Sequence, residues 1–266
     1  MLIDVGGYRL RAELLGQGQE CLVLLHGLAS HLGTWRKVGP ALAARRRVLL
    51  FDQRGHGGSD NPPAPWSLDD LSGEVACLLD ALSIPRTHVL GHSGGGVIAM
   101  HFALRFPERV DRLVLVATAS QANERAAAWY QELAGKADAE GGRAILADLR
   151  SKEAEGAPDS PGAAAYARCM STLHAAPLTH RLAELRAPLT ILVGTEDFIG
   201  AGGSVLMHRA VPGSRLRILE GMGHEIHLED PERFVQLIEE ALAPLSEGAR
   251  SQPKISGQHG TGSGDP

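Results

Sequence analysis

Apolar residues along this chain fall into two alternating patterns. Short runs nearly continuous in Leu and Val occur at Cys21–Leu25, Val48–Phe51, Val89–Leu90, Leu113–Ala117, Leu189–Val193 and Leu216–Leu219. Between them lie longer stretches with apolar positions at helical spacing: Gly33–Ala43, Leu68–Leu82, Gly95–Leu104, Val205–Ala210 and Pro231–Leu242. The runs are too short for helices, and unbroken apolar character is what strands covered on both faces require. Ser67, followed by Asp69 and Asp70, is suited to cap the second of these helices. Strand-helix alternation of this kind predicts an α/β chain, with a mostly parallel, doubly wound sheet and helices on both of its faces. Ahead of it, Leu2–Val5 and Tyr8–Leu14 alternate like strands and are joined by Gly6-Gly7, a hairpin signal.

The rhythm stops between residues 120 and 186. Ala-rich helical stretches at Ala126–Leu133, Ala144–Leu149 and Ala163–Leu173 are separated by Gly141-Gly142 and by Pro158–Pro161, with no strand-like run. We expect a helical insertion lying over one edge of a sheet that is built from 1–119 and 187–245. Ser246–Pro266 is Gly-, Ser- and Gln-rich with almost no apolar residue, a composition that cannot bury a core, so disorder is expected there.

Composition narrows the function. The 266 residues are 44% hydrophobic and 21% charged, the balance of an ordinary globular chain able to fold without metal or disulfide staples. Net charge is −5 with a pI near 6.2, and only 4% of residues are aromatic. That leaves neither a basic footprint nor stacking platforms for nucleic acid. Cys21, Cys77 and Cys169 form no CxxC pair, the first residues carry Asp4 where a signal peptide is apolar, and no run approaches membrane-spanning length. A cytoplasmic protein acting on a small molecule is expected, without metal, cofactor, nucleic-acid or membrane partner.

The chemistry gathers at the carboxyl ends of the expected strands, where open α/β sheets bind ligands. Gly91-His92-Ser93-Gly94-Gly95 fits G-x-S-x-G. A strand leads in and a helix leads out, so Ser93 would sit on a sharp turn at a helix N-terminus. A serine hydroxyl needs a base, itself held by a third group. His224, in Gly-Met-Gly-His-Glu-Ile-His, is the candidate base, with His227 its competitor; Asp197, in Gly-Thr-Glu-Asp, is the candidate acid, with Glu196 its rival. His26-Gly27 and Asp52 end two further strands at the same edge. His224 and His227 are three apart, not the four of a zinc-protease helix, and Arg45-Arg46-Arg47 is most simply a solvated turn.

From residue 1 to about 245 the chain resembles the α/β-hydrolase-fold serine hydrolases, esterases and lactonases in particular. The resemblance is carried by His26-Gly27-Leu28, Phe51–Ser59, Gly91–Gly95, Gly194–Asp197, Gly223-His224 and Pro231-Glu-Arg-Phe. It implies a triad of Ser93, Asp197 and His224, oxyanion donors in the Leu28 and Gly94 amides, and a cap formed by the insertion. It also implies that Asp52 and Arg54 brace the oxyanion loop. A serine nucleophile separates the chain from the dehalogenase and epoxide-hydrolase branches. Gly94 stands where many relatives carry a bulky residue, which either leaves room beside Ser93 or reflects a subfamily difference. Gly27, Trp129 and Tyr166 are the expected pocket residues, though the two aromatics could equally pack the cap onto the sheet. The same triad serves hydrolysis of carbon–carbon bonds in ring-cleavage products, and a low-turnover ligand receptor is the alternative outside enzymes.

Overall fold

The computed structural model describes residues 1–149, 151–152 and 157–244; the expected tail, 246–266, lies outside them. Eight strands form one sheet: β1 (Leu2–Asp4), β2 (Arg9–Leu15), β3 (Cys21–Leu25), β4 (Arg47–Phe51), β5 (Thr87–His92), β6 (Val110–Val116), β7 (Leu189–Gly194) and β8 (Arg215–Leu219). Their order is β1-β2-β4-β3-β5-β6-β7-β8. The amino-terminal strands β1 and β2 pair antiparallel, and from β4 to β8 every pairing is parallel.

The strand alternation decides which core each side chain joins. Cys21, Val23 and Leu25 of β3, with Leu49 and Phe51 of β4, face one apolar cluster; Leu22, Leu24, Val48 and Leu50 face the other. The first cluster is closed by α2 (Leu68–Ala81), α3 (Gly94–Arg105) and α7 (Ala201–Ala210). The second is closed by α1 (Gly39–Leu42) and α9 (Pro231–Leu242), with Trp35, Leu42, Phe234 and Ile238 at its centre. The sheet is therefore doubly wound.

Local chemistry sets the helix ends. Ser67 Oγ accepts from the Asp70 amide at 3.2 Å while Asp70 accepts from the Ser67 amide at 2.8 Å, a reciprocal capping box on α2. Asp230 caps α9 through the Arg233 amide at 3.0 Å, with Pro231 at the first helical position. The stretch expected as a helix over Gly33–Ala43 is instead a 3₁₀ turn at Leu32–Trp35 followed by the single turn of α1, since Gly33, Gly39 and Pro40 interrupt it. The arginine triplet is no solvated turn either. Arg46 is buried and makes a two-pronged pair with Glu239 of α9, at 2.5 and 2.8 Å.

Between β6 and β7 the described residues form α4 (Glu124–Glu140), α5 (Arg143–Asp148) and α6 (Ala163–Ser171) with shorter 3₁₀ turns, and no strand. Leu133, Ile145, Leu146, Tyr166 and Met170 are buried among them. This insertion is fastened to loops at the carboxyl edge of the sheet. Ser160 Oγ donates to the Ala29 carbonyl at 3.1 Å, and the Gly162 amide to that of Gly55 at 2.8 Å.

Candidate active site

Ser93 follows β5 and has φ +54° and ψ −124°, a left-handed conformation that L side chains rarely adopt. The neighbouring backbone holds it there. Its amide donates to the Val116 carbonyl at 2.9 Å, while its own carbonyl accepts from Thr118 Oγ1 at 2.7 Å and from the Gly96 amide at 2.9 Å. A Cβ on Gly95 would collide with the Leu25 and His26 carbonyls, so only glycine lets α3 start this close to β3.

Gly94 does not open the space expected of it. A Cβ there would lie 2.7 Å from Tyr166 Cε1 and 2.9 Å from its hydroxyl oxygen. An aromatic ring from α6 thus fills the place beside the serine. Tyr166 is fully buried, and Trp129 lies half-buried against Tyr130. Neither lines the cavity over Ser93, so of the three expected pocket residues only Gly27 does.

His224 Nδ1 lies 2.9 Å from Asp197 Oδ1, whose second contact is the Ile199 amide at 3.0 Å. Asp197 is buried, and burial raises its carboxyl pKa. The hydrogen bond and charge of His224, with the Gly200 and Ile199 amides, outweigh this and leave it below the usual carboxylate range. With Nδ1 turned to Asp197, Nε2 is the free nitrogen. Glu196 is exposed and points no contact at His224 among the described residues, whereas His227 Nε2 bonds Thr34 Oγ1 at 2.6 Å and its ring lies 4.6 Å from that of Trp35. His227 is a core residue.

The loop Gly27 to Ser30, the expected oxyanion loop, is held from beneath by groups that follow β3 and β4. Gln53 donates its amide N–H to His26 Nε2 at 3.0 Å, so His26 Nδ1 carries the proton and donates to the Gly27 carbonyl at 2.8 Å. In a trans peptide this turns the Leu28 N–H the opposite way. The Ala29 amide donates to His56 Nε2 at 3.2 Å, and Asp52 accepts from the Leu32 amide at 2.6 Å. Asp52 thereby fastens the 3₁₀ turn that follows this loop. Arg54 does not: it turns away to Glu74 of α2 at 2.7 Å.

Ser93, His224, Gly27 and Leu28 line one cavity of about 290 Å³. Its apolar wall comes from Leu28, Leu146, Leu149 and Phe198, and its lining also carries Glu196, Glu225, Glu229 and Lys152. Leu146 and Leu149 could have been suggested by the apolar end of the Ala144–Leu149 stretch. Phe198, 74% exposed beside Asp197, had the signal of a large apolar residue in a polar loop. No cluster of His, Cys, Asp and Glu suited to a metal ion occurs among the described residues, and none of their helices is long and apolar enough to cross a membrane.

The family model described as alpha/beta hydrolase fold matches residues 20–160, from the start of β3 to the last turns of the insertion before α6. The chain belongs to the α/β-hydrolase-fold family. It is 31% identical to the pimeloyl-[acyl-carrier protein] methyl ester esterase of Nitrosomonas europaea, over 84% of this chain and 95% of that one. Among solved structures it is similar to the enol-lactonase of Burkholderia xenovorans LB400, with TM-score 0.82 and 25% identity over 91% and 99% of the two chains. It is also similar to the meta-cleavage product hydrolase of Pseudomonas fluorescens IP01, with TM-score 0.73 and 25% identity over 90% and 96%.

Proposed function

We propose that this α/β hydrolase cleaves a small or medium, largely apolar carboxylic ester or lactone through an acyl-enzyme. The observation that carries the proposal is that Ser93, on its left-handed turn, and the Asp197-paired His224 open into the same cavity. In this mechanism His224 Nε2 takes the Ser93 proton as Oγ attacks the carbonyl carbon. The imidazolium that forms is stabilised by Asp197, which also fixes the tautomer. His224 then returns the proton to the leaving alcohol, and water repeats the sequence on the acyl-enzyme.

The Leu28 and Gly94 amides serve as oxyanion donors. Among the described residues neither donates to another backbone carbonyl, and the His26 contact turns the first of them away from the loop's interior. Each such donor contributes about 3 kcal/mol to the barrier reduction. A cavity near 290 Å³ with a leucine-rich wall suits an acyl group of a few carbons. The esterase and enol-lactonase relatives support the same class.

Carbon–carbon hydrolysis is the second reading, favoured by the likeness to the meta-cleavage product hydrolase. A ring-cleavage dienoate brings a carboxylate that needs a cationic partner, whereas the cavity lining holds three glutamates against Lys152. Labelling with a fluorophosphonate tests the assignment. The wild type is expected to label and to hydrolyse p-nitrophenyl butyrate, and Ser93→Ala to do neither while staying folded. Equal labelling of Ser93→Ala would overturn it.

A further inference from the structure

The loop carrying His224 is held by its backbone as well as by Asp197. Glu229 accepts from the Gly223 amide at 2.8 Å and from the Glu225 amide at 3.2 Å, fixing the residues on either side of the histidine. The His224 carbonyl itself lies 2.9 Å from His92 Nε2. A carbonyl can only accept, so His92 carries its proton on Nε2 and donates it there.

His92 immediately precedes Ser93 and ends β5. Its ring centroid lies 4.9 Å from that of His224 and 4.8 Å from that of His227. On its other side a Cβ built on Gly27 would sit 3.5 Å from His92 Nδ1 and 3.2 Å from Ser93 Cβ. The imidazole therefore stands where the nucleophile turn, the oxyanion loop and the histidine loop meet. Chemically inert packing would not need a ring N–H aimed at a carbonyl 132 residues away in sequence.

Taking the serine-hydrolase reading as its basis, we propose that His92 is a positioning residue, whose Nε2–H holds the His224 carbonyl and so keeps the base aligned with Ser93. Its effect on chemistry passes wholly through His224. A donor in this place must keep its proton arrangement while His224 charges and discharges beside it. Burial, aided by the nearby His224, pushes the His92 pKa down to about 3, so the ring stays neutral through the working range. A second cation next to the catalytic imidazolium is thereby avoided.

The test separates the donor from the ring. His92→Phe keeps an aromatic ring without a donor, while His92→Gln keeps an N–H of similar reach without the ring. For each variant kcat and KM on p-nitrophenyl butyrate are measured, together with the rate of Ser93 phosphonylation by a fluorophosphonate. We expect His92→Phe to lose about tenfold or more in kcat and in phosphonylation rate with KM within about threefold, because a displaced base costs chemistry before binding. We expect His92→Gln to stay within about threefold of wild type in all three. Unchanged rates in His92→Phe, or equal losses in both variants, would overturn the donor role in favour of packing. Should His92→Phe not fold, His92→Asn replaces it: its amide stops short of the carbonyl, so the same kcat loss is expected and wild-type rates would overturn the proposal. A wild-type protein that resists phosphonylation sinks the hydrolase reading itself, which is a distinguishable result.

Discussion

Tyr166 of the insertion lies close enough to Gly94 that a single added methyl carbon would meet its ring at 2.7 Å. Gly94 and a residue 72 positions later in the chain thus share one volume, the absent side chain of one answering the large side chain of the other. Gly94→Ala should destabilise the protein by about 1–3 kcal/mol, as overpacking of a closed site does. In a Tyr166→Leu background the same substitution should cost less than about 1 kcal/mol, since the ring it strikes is gone. Urea unfolding of the four proteins forms the double-mutant cycle, and additive costs would show that the two residues do not compete for space.

Asp197 accepts the His224 Nδ1 hydrogen bond while Glu196 beside it is exposed. Asp197→Asn should lower kcat by about 10³–10⁴, because the amide can donate to the ring and favour the wrong tautomer. Glu196→Gln should lower it by less than about threefold. Steady-state ester hydrolysis checks both, and the opposite ranking would move the orienting role to Glu196.

The layers of the fold were legible because they rest on periodicity. Strands β3, β4, β6 and β7 are built around runs of Leu, Val and Ile, and β-α alternation has few topological solutions. Ser93, Asp197 and His224 could be picked out as candidates because each follows a strand at the carboxyl edge of the sheet. What stayed hidden depends on side chains meeting across long separations. Neither the fit of Tyr166 to Gly94 nor the pairing of Arg46 with Glu239 leaves a local mark in sequence. Arg54 illustrates the limit most sharply: its neighbours are those of a loop brace, yet it reaches Glu74 because α2 passes beneath it.

That Arg54–Glu74 pair is buried, and Tyr8 Oη also contacts both partners, at 2.5 Å from Arg54 Nη2 and 3.1 Å from Glu74 Oε2. Burial raises the Glu74 carboxyl pKa, against which Arg54 and Tyr8 act to keep it ionised. Glu74→Ala should cost about 3–5 kcal/mol by stranding the guanidinium. Arg54→Met with Glu74→Leu should cost far less than that single substitution, since no buried charge is left unpaired. Thermal and urea denaturation decide; a mild single mutant would mean that Tyr8 and the Asp70 carbonyl suffice for Arg54.

Four buried histidines make stability fall in acid. Burial lowers the pKa of His26 and His227 well below 6.5, that of His56 to about 4 and that of His92 to about 3. Above pH 6.5 both folded and unfolded chains hold these rings neutral, so they add no pH dependence. Below it the unfolded chain binds protons that the folded one refuses, and each ring lowers stability by about 1.4 kcal/mol per pH unit until its folded pKa is reached. Urea midpoints should therefore drop steeply between pH 6.5 and 4. Constant midpoints over that window would show that the rings accept protons in place.

Charge around the cavity sets the last expectation, which concerns the choice among substrates. Glu196, Glu225 and Glu229 line it, with Lys152 as the cation there, so an approaching carboxylate meets net repulsion. Part of this arrangement is structural: Glu229 holds the Gly223 and Glu225 amides, and Glu225 accepts from Ser151 and from the Lys152 amide of the insertion. Glu196 is exposed and can be changed without disturbing those contacts. A neutral ester should exceed a matched ester or dienoate bearing a carboxylate by about tenfold or more in kcat/KM at low ionic strength. The gap should narrow as salt approaches about 0.5 M, because screening acts on exposed charges. Glu196→Lys should narrow it too, mainly by raising kcat/KM for the anion. A carboxylate substrate turned over faster than its neutral counterpart at low salt would instead favour the carbon–carbon hydrolase reading. In that case the Lys152 ammonium is the group to test as its partner.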